Sequence, residues 1–347
     1  MATAAGCALL LTGCSLRLDD PAPSQAASSG EAIGFSAGSA LLLDDAPSSK
    51  AAYYDGSSFG VFAFRQNGGY GWSDLATKHW TPNFMFNQEV LYSGGVYTYA
   101  PLRYWPDASI NTLSFWAYSP YNASAVMYET GSTSTHYSGT SAGLPDVQFT
   151  VDGHTDVLYS DVVEDQTHAS NSGVVPFEFN HALSLIDVKA ENVDPSGRYT
   201  VTLESVSFKG LYVSAILGSS SWTWSHYSGA RQDLLVWDED VVLTAGDPAT
   251  SLSSVMPLPQ NLANDACRLH VAFNVSYLED PSDPSSQKSY STTRDVYLSQ
   301  VFDNAGTAVW SENSHYTLTI QISPDKPIEF TVSWDSWGDD FNYHLSS

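Results

Sequence analysis

The sequence predicts an all-β chain, and three observations carry that expectation. Short β-branched and aromatic runs alternate with clusters of Gly, Pro, Asn, Asp and Ser; apolar residues in many of those runs recur at a spacing of two; and few stretches keep the 3.6-residue period of a helix. The composition of 10 Trp, 20 Tyr, 15 Phe, 24 Gly and 17 Pro belongs to the same class, since aromatics suit a pleated surface while glycine and proline interrupt it. A length of 347 residues leaves room for two domains, each with its own core.

Residues 1–13, MATAAGCALLLTG, are small and apolar. They are too few to cross a bilayer and stand where the hydrophobic stretch of a secretory signal belongs, so they read as a signal peptide. Leu11-Thr12-Gly13-Cys14 then fits the lipobox of bacterial lipoproteins, which makes Cys14 the expected acylated residue. The alternative for Cys14 is a chance cysteine, and Ala4-Ala5-Gly6-Cys7 is a poorer lipobox. No Lys or Arg precedes the apolar run, which places the expected start of translation upstream of Met1. Residues 14–30 turn to Asp, Pro, Ser, Ala and Gln, cannot bury enough surface to fold alone, and read as a flexible tether.

A first domain is expected over 31–173. Ile33, Phe35 and Ala37, then Leu41 and Leu43, alternate as its first strand, with Gly38-Ser39 suited to a bulge. Asp44-Asp45-Ala46-Pro47-Ser48-Ser49-Lys50-Ala51-Ala52 is loop-like, and Lys50 is the only basic residue between Arg17 and Arg65. Strands are expected at 59–64, 84–92, 96–102, 113–118, 147–151 and 157–163. Residues 96–121 read as a hairpin-like unit turning at Trp105-Pro106-Asp107, because proline cannot continue a ladder. In its second half Leu113, Phe115 and Ala117 alternate with Thr112, Ser114 and Trp116, the mark of one buried face. Residues 128–143, rich in Ser, Thr and Gly, read as a long loop, and polar 166–173 as the domain boundary.

The second domain is expected over 174–347. Leu269, Val271, Phe273, Val275 and Tyr277 alternate with polar neighbours; Tyr316, Leu318, Ile320 and Ile322 do the same, and Ile328, Phe330, Val332 and Trp334 return as the partner of a hairpin. Between Leu203 and Val206 the apolar phase slips by one, which predicts a bulge. At the end, Phe341, Tyr343 and Leu345 alternate with Asn342, His344 and Ser346: a short strand, either of its own domain or available to another chain, or a frayed end.

With 13 basic against 38 acidic side chains the formal net charge is -25, which repels phosphate backbones and anionic lipid surfaces. Nucleic acid is excluded as a partner; a soluble surface protein accounts for the charge more simply than a cation site. Of the cysteines Cys7, Cys14 and Cys267, only the last remains free to pair if Cys7 is removed and Cys14 is acylated, so no intramolecular disulfide is expected.

Tyr104-Trp105-Pro106 followed by LSFWAYSP at 113–120, FGVFAF at 59–64, FEFNHALSLI at 177–186, and Pro257-Leu258-Pro259-Gln260 with the stretch 310–334 behind it stand in an order that spans most of the mature chain. In these motifs the sequence resembles the fimbrillins, the subunits of type V pili on Gram-negative gut and oral bacteria. The resemblance implies two tandem transthyretin-like β-sandwiches and a structural or adhesive subunit in a fimbrium at the outer membrane, held by lipid on Cys14 and partnered by other pilus subunits. It also implies that a protease cuts the loop after the first strand, here between Lys50 and Ala51, where the family site is commonly arginine. The strand carrying Ile33, Phe35, Leu41 and Leu43 would then leave, and a strand of the next subunit, for which Phe341, Tyr343 and Leu345 are candidates, would take its place. Burying five or six apolar side chains is worth on the order of 10 kcal/mol at most, enough to drive polymerisation without an external energy source. The alternative for Lys50 is an uncut, solvated loop residue.

No catalytic or cofactor site is expected. Gly56-Ser57-Ser58-Phe59-Gly60 matches the pattern of a nucleophile elbow, yet a loop precedes the serine and a strand follows it, the reverse of what exposes such a hydroxyl. The nine histidines show no ligand spacing, and Asp238-Glu239-Asp240 and Asp335 with Asp339 and Asp340 lack the alternating ligands of a calcium loop. Trp72, Trp80, Trp105, Trp222 and Trp224 raise a second function, a lipoprotein that binds surface glycans without polymerising; Trp222, Trp224 and Tyr227, in SSSWTWSHYSG, are its candidate contacts.

Overall fold

The computed structural model describes residues 28–39, 58–75, 82–109, 111–123, 147–218, 223–304, 307–324 and 326–337. Cys14, Leu41, Leu43, Lys50, Ala51, Trp222, Phe341, Tyr343, Leu345 and the loop expected at 128–143 lie outside them.

The chain is nearly all β. It begins with β1 (Ser28–Ala32), β2 (Gly34–Ser39), β3 (Ser58–Asn67), β4 (Met85–Ser93), β5 (Val96–Thr98) and β6 (Tyr104–Pro106). Next come β7 (Asn111–Ser119), β8 (Val147–Thr150), β9 (Leu158–Ser160), β10 (Val163–Gln166) and β11 (Val174–His181). The second half supplies β12 (Ser184–Asn192), β13 (Thr200–Leu211), β14 (Ser214–Gly218), β15 (Thr223–Ser228), β16 (Gln232–Trp237), β17 (Val241–Leu243) and β18 (Thr250–Val255). It closes with β19 (Arg268–Leu278), β20 (Gln287–Tyr297), β21 (Asp303–Asn304), β22 (Thr307–Ala308), β23 (Ser314–Ile322) and β24 (Glu329–Ser336).

One large sheet runs β2-β11-β9-β7-β3-β4-β5, with β10 also on β7. Its two faces feed different cores. Phe59, Val61, Phe115, Ala117, Val175 and Phe177 meet Ile33 and Phe35 on one side. On the other, Phe62, Phe64, Trp116 and Tyr118 pack against Phe149, Ala215, Leu217 and Trp224 of a smaller sheet ordered β15-β14-β8. Strand β7 is therefore buried on both faces, with Trp116 as inaccessible as Phe115; the one-sided burial expected of 112–117 is corrected, because the small sheet covers the second face.

A third core lies between the sheets β18-β12-β23-β24 and β16-β13-β19-β20, where Val188, Leu318 and Ile320 face Val201, Phe208, Val271 and Phe273. Here the expectations hold closely. β19 alternates buried and part-buried residues along its length, β23 and β24 form the hairpin, and β13 shifts register between Leu203 and Ser205 where the apolar phase slips.

Elsewhere pairing departs from the sequence reading. The stretch expected as a hairpin within 96–121 is not one: β5 turns back on β4 through Gly94-Gly95, both at positive φ (60° and 84°), β6 pairs with β1, and β7 pairs with β3. The expected tether at 14–30 ends earlier, since β1 starts at Ser28. No bulge forms at Gly38-Ser39, which stay in step with Glu178 and Phe179. The boundary expected between 173 and 174 falls where β11 begins, in the large sheet. The turn at 166–173 joins β10 to β11 within one sheet; Ala182, Leu183 and Leu185 still belong to the core on that sheet's far face, and the chain enters the third core at Ile186. In addition, β14 and β15 depart from the second sandwich between β13 and β16 to pair with β8. The sheets of the N-terminal and C-terminal halves are thus threaded together.

Candidate functional site: the seat of the first strand

The feature that stands out among the described residues is the way the first strand is held. β2 forms the edge of the large sheet and pairs with one neighbour, β11, in parallel from Gly34↔Val174 to Ser39↔Phe179. Alternation puts Ile33 and Phe35 into the core at 2% and 6% exposure. Phe35 sits in a cage of four rings: stacked on Phe177 at 5.8 Å and 16°, and edge-on to Tyr99 at 5.2 Å, Phe115 at 6.2 Å and Phe59 at 6.4 Å. These offset and edge-on arrangements suit the ring quadrupoles.

The opposite edge of β2 meets side chains and a loop instead of a ladder. The Ile33 amide donates to the Arg103 carbonyl (2.9 Å), the Tyr99 hydroxyl donates to the Ile33 carbonyl (3.0 Å), and the Tyr97 hydroxyl donates to the Ala37 carbonyl (3.3 Å). Burial pushes both phenols above the ordinary tyrosine range, so they are neutral donors at physiological pH. At the entrance the Trp105 indole donates to the Gly173 carbonyl (3.1 Å), whose oxygen also receives the Gly34 amide (2.9 Å), and His168 contacts the Glu31 carboxylate.

Such a seat offers apolar surface, a sheet edge and hydroxyl donors. It has the means to hold an extended strand. Ile33 and Phe35 together account for about 3–6 kcal/mol of apolar burial, part of the roughly 10 kcal/mol expected of the whole strand. Sequence reasoning found Ile33 and Phe35 and missed Tyr97 and Tyr99. The signal was present in their two-residue spacing beside Gly94-Gly95, but a tyrosine donating to a distant carbonyl has no local pattern.

The remaining candidates fall elsewhere. Trp224 is 9% exposed, packed against Phe149 (6.0 Å between rings), and its indole donates to the Ala182 carbonyl at 2.6 Å. It is a strut of the junction between the sandwiches. Tyr227 packs against the same core as Trp224, His226 between them standing at φ 50°, and the Tyr227 hydroxyl donates to the Pro259 carbonyl. Trp224 as an open glycan platform is therefore corrected. Trp72 and Trp105 are buried too. Ser58 begins β3, with no helix behind it. Among the described residues no group of three or more His, Cys, Asp or Glu gathers where a metal ion would sit.

Comparison with known proteins decides the family. The profile of the fimbrillin-like family matches residues 51–337. The chain belongs to the fimbrillin-like family. This fimbrillin is 26% identical over 330 residues to the fimbrium subunit Fim1C of Phocaeicola vulgatus, covering 82% of the chain and 83% of that relative. Among solved structures, a fimbrial protein from Bacteroides vulgatus shares the fold at a TM-score of 0.66 and 19% identity, over 88% of this chain and 99% of that one. A putative cell adhesion protein from Bacteroides uniformis matches at a TM-score of 0.50 and 15% identity, over 88% and 99%. The family model and the sequence relative agree on a fimbrial protein.

Proposed function

We propose that this fimbrillin is a subunit of a surface fimbrium, exported as a lipoprotein acylated at Cys14 and polymerised by donor-strand exchange. In this reading a protease cuts between Lys50 and Ala51, the segment bearing Ile33, Phe35, Leu41 and Leu43 departs, and a strand of a neighbouring subunit enters the vacated seat. The C-terminal residues Phe341, Tyr343 and Leu345 are the candidate donors. The partners are other pilus subunits, with outer-membrane lipid holding the precursor through Cys14.

The observation that carries the reading is the position of β2. It is an edge strand, paired with one strand only, yet its side chains fill the first core. Its loss would leave the rings of Phe59, Phe115 and Phe177 and the free edge of β11 open together, a combination that favours taking up another strand. A glycan platform at Trp222, Trp224 and Tyr227 draws no comparable support, since Trp224 is buried.

The test is the N-terminal sequence and intact mass of protein sheared from cells, beside the membrane fraction. Polymers that resist denaturant and whose chains begin at Ala51 are expected. Monomeric, lipid-bearing chains that all begin at Cys14 would overturn the proposal.

A further inference from the structure

We infer that Tyr97 and Tyr99 form a main-chain clamp that accepts whichever strand occupies the seat, donating to two carbonyls four residues apart on the strand's outer edge. The inference rests on the strand-exchange reading for its consequence and on the seat's own geometry for its argument. On the β11 side the seat is closed by a regular ladder. On the other side β5 comes close without pairing to β2, and the space is bridged by phenol hydroxyls reaching the carbonyls of Ile33 and Ala37. Extended backbone directs the polar groups of residues 33, 35 and 37 to one edge and those of 34, 36 and 38 to the other; the tyrosines thus meet the edge that β11 leaves unpaired.

This division of labour sets what the seat takes. The hydroxyls bond to carbonyls that every strand carries, so they recognise extended conformation and register without regard to side chain. The cage of Phe59, Tyr99, Phe115 and Phe177 then selects an apolar, preferably aromatic, residue at the Phe35 position. Tyr99 serves both purposes, with its ring on Phe35 and its hydroxyl on Ile33. A partner of this chemistry is a second copy of the chain, or a related subunit, offering an extended segment with an aromatic residue two positions from each bonded carbonyl.

Two measurements on the full chain test this. In the uncut protein, hydrogen exchange at the amides of β2 is compared between wild type, Tyr97→Phe, Tyr99→Phe, and Tyr290→Phe as an exposed control on the second sandwich. Each lost hydroxyl leaves a carbonyl short of a donor, and exchange is expected to quicken roughly 3- to 10-fold for Tyr99→Phe, less for the longer Tyr97 bond, and not at all for Tyr290→Phe. Unchanged protection in Tyr97→Phe and Tyr99→Phe would overturn the clamp. In the chain cut at Lys50, uptake of a labelled peptide of residues 30–43 is followed, with a Phe35→Ala peptide beside it. Weaker uptake by both tyrosine variants is expected, and equal uptake by them would overturn the clamp while strand exchange stands. A cut wild-type chain that takes up no peptide, with β2 exchange still quickened in the uncut variants, would overturn strand exchange and leave the clamp as a fastening of the chain's own strand.

Discussion

Replacing Phe35 by alanine probes the first core where it is most exposed to failure. The ring is 6% exposed and touches four other rings. An aromatic side chain buries on the order of 150–250 Å², and its edge-on pairs add about 0.5–1.5 kcal/mol. Core Phe→Ala changes cost about 3–5 kcal/mol, the spread depending on how far the site collapses. β2 is an edge strand, so Tyr99 and Phe177 are able to close part of the gap; the lower end, about 3 kcal/mol, is expected. That corresponds to roughly a hundredfold in the equilibrium between held and released strand. The assay is urea unfolding of the full chain by tryptophan fluorescence, together with hydrogen exchange across β2. The midpoint should fall and the β2 amides lose protection. A loss below about 1 kcal/mol with β2 protection unchanged would refute the claim that this side chain anchors the strand.

Two further predictions concern the second face of the large sheet. Burial pushes the Tyr118 phenol up to about 12, while its one hydroxyl proton has two acceptors in reach, Asn87 Oδ1 (2.7 Å) and the Asn122 carbonyl (3.0 Å). A folded-state value above the ordinary 10 means stability that is whole below pH 10 and is lost as pH rises toward 12, by about 1.4 kcal/mol for each pH unit. Urea titrations at pH 9 and pH 11 should show that loss, and Tyr118→Phe should flatten the slope; equal slopes would refute it. Trp224→Phe removes the donor to the Ala182 carbonyl and should cost at least about 1–3 kcal/mol in denaturant midpoint, so any loss of glycan binding on changing Trp224 must be checked against circular dichroism before it is read as a lost contact.

What the sequence revealed and what it hid follow one physical division. Alternation is local, so β19, the β23–β24 hairpin and the buried pair Ile33 and Phe35 were legible from side-chain period alone. Even the bulge in β13 announced itself, because an extra residue shifts the apolar phase. Partner choice is not local. Nothing in FEFNH distinguishes a strand that opens a second domain from one that holds β2 in parallel, and polar 166–173 makes a tight turn as readily as a linker. Nor does the period show what covers the far face of β7: Trp116 reads as the exposed phase, and it is the paired strands β14 and β15 that lie above it. For the seat, the apolar half was readable and the hydroxyl half was not, since Tyr97 and Tyr99 act on carbonyls 60 and 66 residues away in the chain.

The threading of β14 and β15 into the first sandwich governs the order in which the protein is able to close. A chain emerging from its N-terminus offers β2, β3 and β7 early, but the layer that covers Trp116 and Tyr118 needs residues 214–228, and the same core is finished by Trp337, stacked on His181 at 3.9 Å. That face is therefore fully covered only when residues near the end of the described chain are in place. The cover of the large sheet is in this way tied to nearly the full length of the described chain, and a chain ending before β14 would leave Phe62, Trp116 and Tyr118 without it.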